Sequence, residues 1–286
     1  MSSTPAPTIA NSKCILVTGA TSGIGRALSL KFKELPSQPQ IIVTGWRQDQ
    51  LNELASQGFE AVRIDFQKEK EQLKKNLHAL VERYPDLDTV VLNAGIQHQF
   101  DFRSLRASVL IVRYCSRFCV HHLKYNPEVT EEMNLNYTSA VVAVVALMPH
   151  FQKLADQGRH CFIVGISSGL SMVPTAWVPN YAASKAAVHS FLLALRAQLA
   201  DGSIHVIEVM PRLLSLSFTI RMVLRMLFPK RGCRWRSSPS SRLEAMLKGD
   251  DEIPVGMSAG VFKKFEEGKK QMAIQLMKNH EAGKSY

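Results

Sequence analysis

The sequence lacks a long apolar run, a signal-peptide pattern and an even set of cysteines, and each absence narrows the classes of protein it can encode. The longest uninterrupted apolar stretch, 140–148, is about half of the ~18 residues that a membrane span needs. Residues 1–12 have neither a basic start nor an apolar centre, so we expect a flexible N-terminal arm. Five scattered cysteines favour a reducing compartment over a disulfide framework. The composition predicts a cytoplasmic protein without a membrane span.

Acidic residues are missing from two segments, and these segments account for the net charge of +11. Residues 103–125 and 212–242 are basic without a single Asp or Glu, and neither keeps the period of a helix or a strand. We hypothesise that both are foreign insertions, such as translated non-coding sequence, and finding them in the mature message would count against this. We predict no nucleic-acid partner. The alternative, attachment of these segments to nucleic acid or an anionic membrane, predicts salt-sensitive retention on anionic vesicles.

Short apolar strands alternate with amphipathic helices along the rest of the chain. The strands are predicted at 14–17, 40–44, 61–64, 89–92, 161–166 and 204–209. This alternation predicts an α/β fold, a doubly wound parallel sheet that is Rossmann-like. We expect a single catalytic, dinucleotide-binding domain over 13–211, interrupted by the anomalous insertion at 103–125. An irregular extension, 212–286, would hold an altered substrate lid and a C-terminal helix over 257–279 that packs Phe262, Phe265 and Met272 near the site.

A glycine-rich motif, TGATSGIG, stands between the first strand and the first helix. Glycines at this junction permit a tight turn and a close approach of the backbone to a pyrophosphate, which the helix N-terminus then binds. A plain turn is the alternative. The motif predicts a dinucleotide site at Gly19, Ser22, Gly23, Ile24 and Gly25.

Three later strand ends offer further contacts to a dinucleotide. After the second strand, Arg47 stands where an acid would bind a free ribose hydroxyl, which favours NADP over NAD, although a solvated surface arginine is the alternative. Asp65 ends the third strand and could accept from the adenine amino group or only cap a turn. The fourth strand ends in Asn93, Ala94 and Gly95, whose small side chains would leave room for the cofactor or form a plain turn.

Ser168, Tyr181 and Lys185 form the candidate catalytic set. Tyr181 and Lys185 are four residues apart, hence on one helix face, and Ser168 follows a buried strand whose carboxyl end should face the same crevice. A neighbouring ammonium and a cationic nicotinamide would both favour the phenolate, so we expect a lowered pKa for Tyr181. The three side chains could therefore act together on one carbonyl.

These motifs together resemble the short-chain dehydrogenase/reductase family over residues 13–211: TGATSGIG, Asp65, LNAG (92–95), Ser168 and YAASK (181–185). The resemblance implies that Tyr181 is the general acid and base, and that Lys185 modulates its pKa and binds the nicotinamide ribose. It implies that Ser168 donates to the substrate oxygen. The family also has a helix asparagine that supports a proton relay; of Asn134 and Asn136, we choose Asn136 from its distance to Pro149.

The sequence departs from the family after the sixth strand, where Pro211 is followed by Arg-Leu-Leu-Ser instead of the usual Gly-x-Thr pattern. We expect an NADP-dependent oxidoreductase, with NAD the less favoured cofactor, acting on a small carbonyl or secondary alcohol. The alternative is a catalytically impaired relative that binds dinucleotide or a partner. The resemblance suggests a homodimer or homotetramer. No metal is predicted, since the spacing of Cys115, Cys119, His121 and His122 matches no usual zinc framework.

Overall fold

The protein folds around a seven-stranded parallel sheet in a computed structural model that describes residues 7–99, 127–211, 252–254 and 257–282. The strands are β1 (Cys14–Val17), β2 (Gln40–Gly45), β3 (Glu60–Arg63), β4 (Leu87–Leu92), β5 (Cys161–Ile166), β6 (Ile204–Met210) and β7 (Glu252–Pro254). They lie in the order β3-β2-β1-β4-β5-β6-β7. Every adjacent pair is parallel, and the predicted doubly wound α/β fold is confirmed.

The helices follow the strands as the apolar periods predict. They are α1 (Gly23–Phe32), α2 (Gln48–Ser56), α3 (Lys70–Arg83), α4 (Pro127–Met133), α5 (Ser139–Asp156), α6 (Pro179–Gln198), α7 (Met257–Phe265) and α8 (Lys269–Glu281). A π-helical turn, Asn134–Thr138, joins α4 to α5, so the three form one long helix. Such turns interrupt the regular hydrogen-bond ladder and are frequent at functional sites.

Apolar side chains cover both faces of the sheet. One face packs against α3, α5 and α6, with Leu77, Leu147 and Leu192 fully buried. The other packs against α1 and α2 through residues such as Leu28 and Leu54. Because β1, β4 and β5 are buried along their whole length, their sequences are almost continuous apolar runs, whereas β3 at the sheet edge is only partly buried. This two-sided core fixes where every strand ends, and the site lies at those ends.

One helix, Thr130–Asp156, is long and apolar enough to cross a membrane by length and composition. The core helix of a soluble protein passes the same test. Its inner side, including Leu147 and Phe151, is fully buried against the rest of the domain. It is the only helix of that kind in the described part of the chain.

The structure corrects predictions that were made from the sequence for both terminal regions. The predicted flexible arm is ordered from Ile9 to Asn11, where a 3-10 turn places Ile9 in the core. The single helix expected over 257–279 is instead α7 and α8, separated at Gly268, whose φ of 92° breaks the helix. Phe265 and Met272, expected to pack near the site, are exposed. β7 was not predicted. The hypothetical insertions 103–125 and 212–242 fall outside the described residues.

Candidate active site

A cleft of about 630 Å³ opens at the carboxyl ends of β1 and β4, where the strand order reverses. In open α/β sheets this switch point is the usual ligand site, and the volume suits a small-molecule site. Most of the predicted site residues line it: Gly19, Ser22, Gly23, Ile24, Arg47, Asp65, Asn93, Ala94, Gly95, Ser168, Tyr181 and Lys185. Gly25 and Asn136 are absent from the cleft wall and act from behind it.

The glycine turn is held tightly against the end of β4. Gly19 has a φ of 63°, and a Cβ there would lie 2.8 Å from the Ala94 Cα. Both the backbone conformation and the lack of space therefore disfavour a side chain. The Asn93 side-chain amide donates to the main-chain oxygens of Thr18 and Gly19, at 3.0 and 3.1 Å. A Cβ on Gly25 would approach that amide to 2.4 Å. Asn93 and Gly25 therefore shape the turn from beneath.

Arg47 lies beside the glycine turn. Its guanidinium donates to the hydroxyls of Thr21 and Ser22, at 3.1 and 2.6 Å. The Arg47 Nε is buried without a hydrogen-bond partner in the described residues. No carboxylate in the described part of the chain forms a salt bridge with it. The Arg47 guanidinium therefore lines the cleft without a salt bridge to a described carboxylate.

Asp65 caps a turn, one of the two roles that the sequence left open, and its contact with adenine stays a prediction. It lines the cleft at the end of β3. Its Oδ1 also accepts a hydrogen bond of 3.0 Å from the Gln67 main-chain N–H, the geometry of a turn cap. The turn orients the carboxylate at the cleft margin.

The three candidate catalytic residues meet at the other end of the cleft. Tyr181 and Lys185 lie in the first turns of α6, and Ser168 follows β5. The Lys185 Nζ is 5.8 Å from the centre of the Tyr181 ring and donates to the Ile166 main-chain oxygen at 2.7 Å. The Ser168 Oγ accepts from the Leu170 N–H at 3.2 Å, which fixes the serine in place. The structure thus brings the three candidate catalytic side chains into one cleft.

The Lys185 ammonium does not by itself lower the Tyr181 pKa, and the lowering expected with a cationic nicotinamide stays a prediction. Burial raises the pKa of the Tyr181 phenol to about 12, with the Ser168 hydroxyl acting in the opposite direction and the Glu132 charge adding to the rise. Burial also lowers the pKa of the Lys185 ammonium to about 8, against the Glu208 charge. The physical reason is that desolvation disfavours both ionised forms. The Tyr181 phenol therefore favours its protonated form, which can donate a proton.

Asn136 lies in the π-helical turn behind the cleft wall. Its Oδ1 accepts from the Ile96 N–H at 2.8 Å, and its Nδ2 donates to the Ile96 oxygen and the Ser184 hydroxyl, each at 2.9 Å. Ser184 in turn donates to the Tyr181 main-chain oxygen at 2.7 Å. Both amide N–H groups are engaged, so the side chain anchors α6 to the segment after β4. Its part in a proton relay stays a prediction.

The cleft residues that were not singled out from the sequence include Ser167, Trp46 and Trp177. The Ser167 hydroxyl is buried and has no partner in the described residues. Trp46 and Trp177 are 61% and 53% exposed, which is unusual for tryptophan away from an interface or a binding site. Trp46 stands beside Arg47 and could have been noticed from that position. No signal in the sequence marks Trp177.

Metal-binding side chains do not gather anywhere in the described ranges: no group of three or more His, Cys, Asp or Glu could hold an ion there. Cys115, Cys119, His121 and His122, discounted as a zinc site from their spacing, lie outside those ranges.

Comparison with known proteins decides the family. The family model described as short chain dehydrogenase matches residues 13–221. The chain belongs to the short-chain dehydrogenase family. It is therefore an NAD(P)-dependent oxidoreductase that acts on CH–OH or C=O groups.

This short-chain dehydrogenase is similar to the uncharacterized oxidoreductase DltE of Bacillus subtilis, with 28% identity over 84% of this chain and 86% of the relative. A 3-ketoacyl-(acyl-carrier-protein) reductase from Brucella melitensis, solved with NADH, has a TM-score of 0.59 at 22% identity, over 77% of this chain and 84% of its own. A short chain dehydrogenase from Burkholderia cenocepacia, solved with NADP, has a TM-score of 0.55 at 24% identity, over 70% and 74%. Both solved structures share the fold.

Proposed function

We propose that this short-chain dehydrogenase is NADP-dependent and transfers a hydride between nicotinamide and a small carbonyl or secondary alcohol. The observation that carries the proposal is the cleft itself, which has the glycine turn and an unpaired Arg47 at one end and Tyr181 with Lys185 at the other. A dinucleotide that spanned it would place its phosphates at the turn and its nicotinamide near the phenol. Bound nicotinamide supplies the hydride chemistry.

Arg47 supports NADP over NAD. A 2′-phosphate adds negative charge where an arginine is poised, and arginine binds phosphate through several donors at once. The buried Nε has no partner in the described residues, and the Nη2 contacts only hydroxyls there. One solved relative carries NADP and another NADH, so the preference rests on this arginine.

The protein's own residues would carry the proton. Tyr181, protonated at rest, donates its hydroxyl proton to the substrate oxygen during reduction, and Ser168 holds that oxygen. Lys185, fixed by the Ile166 oxygen, lies 5.8 Å from the centre of the Tyr181 ring, where its charge would stabilise the phenolate that forms. In oxidation the cationic nicotinamide and Lys185 together would favour the phenolate.

The test is NADPH binding, followed by fluorescence, and then NADPH oxidation against a panel of ketones and aldehydes. Turnover that disappears in Y181F, with cofactor affinity retained, would support the proposal, and a Y181F protein that keeps full activity would refute it. We expect a loss of at least ~100-fold, the usual contribution of a general acid. The departure after Pro211 favours a second candidate, an impaired relative, which would bind NADPH without turnover.

The setting and assembly are further proposals. Cys14 and Cys161 are free and buried, and burial raises the pKa of each thiol to about 12, which suits a reducing, cytoplasmic environment. We infer a homodimer or homotetramer from the family, and light scattering of the full chain tests it.

A further inference from the structure

Two side chains on the long helix, Glu132 and Asn136, contact the same two neighbouring segments. They are four residues apart, so they project from the same side of the helix. Asn136 binds Ile96, after β4, and Ser184, on α6. Glu132 repeats the pattern one turn earlier. The wall of the cleft is therefore joined to the catalytic helix at two levels.

Glu132 makes its two contacts through separate oxygens. Its Oε1 accepts from the His98 main-chain N–H at 2.5 Å, and its Oε2 accepts from the Asn180 side-chain amide at 2.5 Å. Asn180 directly precedes Tyr181 in the first turn of α6. The carboxylate consequently fixes the residue next to the phenol against the segment that follows β4.

The environment of Glu132 is unusual for a carboxylate. The residue is 0% exposed, yet no Lys, Arg or His in the described ranges pairs with it. Both oxygens act as acceptors, which suits the ionised form. Burying a charge without a counter-ion is costly, and a hydrophobic residue would fill this space more cheaply. A function at the site accounts for such a group.

Resting on the proposed function, we propose that Glu132 is a positioning residue for Tyr181: it holds the start of α6 in place through Asn180, and its buried negative charge disfavours the phenolate. Among the described residues, the charged groups that act here are Glu132 on α4 and Lys185 on α6. The two have opposite effects on the phenol. Glu132 stabilises the acid and Lys185 the phenolate, so the pair sets how readily the proton leaves.

The direction of the Tyr181 pKa agrees with this geometry. After burial, the Glu132 charge is the cause that raises the phenol pKa further. Removing the charge while keeping the side-chain volume should therefore make the phenol more acidic.

The experiment labels the full chain with 3-fluorotyrosine and follows the ¹⁹F resonance of Tyr181, assigned from its loss in Y181F, as the pH is raised. Ring fluorination makes a phenol more acidic, which brings the titration into an accessible range. In E132Q we expect the midpoint to move to lower pH by about half a unit to one unit. The matched control is E131Q, which removes the same charge from the exposed neighbouring position, and its midpoint should not move.

An unmoved midpoint in a folded E132Q protein would overturn the proposal. If circular dichroism shows that E132Q does not fold, N180A decides: it keeps the carboxylate and removes one contact. We expect the Tyr181 resonance of N180A to broaden or split because the helix start is no longer fixed, and a resonance as narrow as in the unsubstituted chain would overturn the positioning role. These readouts need no turnover. A chain that binds NADPH but is inactive would therefore contradict the proposed function and leave the positioning role of Glu132 to be decided by the ¹⁹F resonance.

Discussion

The Lys185 ammonium lies over the Tyr181 ring, 5.8 Å from its centre, and donates its hydrogen bond to the Ile166 main-chain oxygen at the end of β5. The strand end therefore fixes the position of the lysine before any cofactor arrives. Because the lysine is buried, its charge is conditional: burial lowers its pKa to about 8. The cation is present below that pH and is lost above it.

This conditional charge predicts an alkaline limb in the activity of the enzyme. The kcat/KM profile reports groups in the free enzyme, so kcat/KM for NADPH oxidation should fall as the pH rises through about 8, where Lys185 loses its proton. Initial rates at limiting substrate across that range measure it. In K185M the remaining activity should be low and without this inflection. A wild-type profile that stays level through two pH units above neutrality would contradict the assignment.

Arg47 should decide between the two nicotinamide cofactors. Replacing it in R47A removes the unpaired guanidinium beside Thr21 and Ser22. Hydrogen bonds to charged groups contribute about 1.5–3 kcal/mol, so the Kd for NADPH should rise roughly 10–100-fold while the Kd for NADH changes little.

Fluorescence titration with both cofactors measures the two affinities. The control is R83Q, which removes the same charge at the far end of α3, and it should leave both values unchanged. Equal losses of affinity for NADPH and NADH in R47A would mean that the arginine binds a part of the cofactor that the two share, and not the 2′-phosphate.

The sequence was sufficient to predict the sheet and to place Tyr181 and Lys185 on one helix face, because both depend on local patterns. Strands buried on two sides must be apolar throughout, and Tyr181 and Lys185 need only helical spacing to share a face. Their relation to the Glu132 carboxylate depends instead on packing between distant segments, since Glu132 and its partner Asn180 are 48 residues apart in the sequence. No local period carries that information. The raised pKa of the Tyr181 phenol was missed for a related reason, since burial, its main cause, also depends on packing between distant segments.

In the C-terminal region, too, features that lack a local sequence pattern were missed. β7 has three residues and follows a long segment without a core period, so nothing local identified it as a strand. The break at Gly268 was hidden because the apolar positions on both sides of it continue a helical period, whereas a φ of 92° ends the helix. Burial of Glu266 against His189, 77 residues away in the sequence, could not be expected at all.

Two glycines allow the cost of a positive φ to be separated from the cost of a steric clash. Gly19 and Gly158 both have positive φ, at 63° and 77°, but only Gly19 has a close neighbour, Ala94. G158A should lose about 1 kcal/mol of unfolding free energy from the backbone alone. G19A should lose at least ~1 kcal/mol more, because the new Cβ forces the turn away from β4, and NADPH affinity should fall with it.

Urea denaturation and NADPH titration of the two variants measure these losses. Equal destabilisation of G19A and G158A would show that the contact with Ala94 relaxes without cost, and normal NADPH binding by G19A would separate the turn from the cofactor site.

His189 should make the stability of the protein depend on pH. Its Nδ1 is 2.9 Å from the Glu208 Oε2 and its Nε2 is 3.2 Å from the Glu266 Oε2, which ties the catalytic helix to β6 and the C-terminal helices. Burial disfavours the imidazolium, but hydrogen bonds and charges from the two carboxylates outweigh it and raise the His189 pKa to about 9. The Glu266 Oε1 also accepts from Lys269.

Because the pKa of His189 in the folded protein exceeds its ordinary value of 6.5, this contribution is complete below pH 6.5 and is lost as the pH rises towards about 9. Each unit of difference in pKa is worth about 1.4 kcal/mol, so the total is at most about 3.5 kcal/mol. Urea denaturation across that range should show a decline in the wild type that H189Q lacks, while H78Q, at an exposed position on α3, keeps it. The same decline in H189Q would assign the pH dependence to another group, since glutamine cannot take up the proton that both carboxylates stabilise.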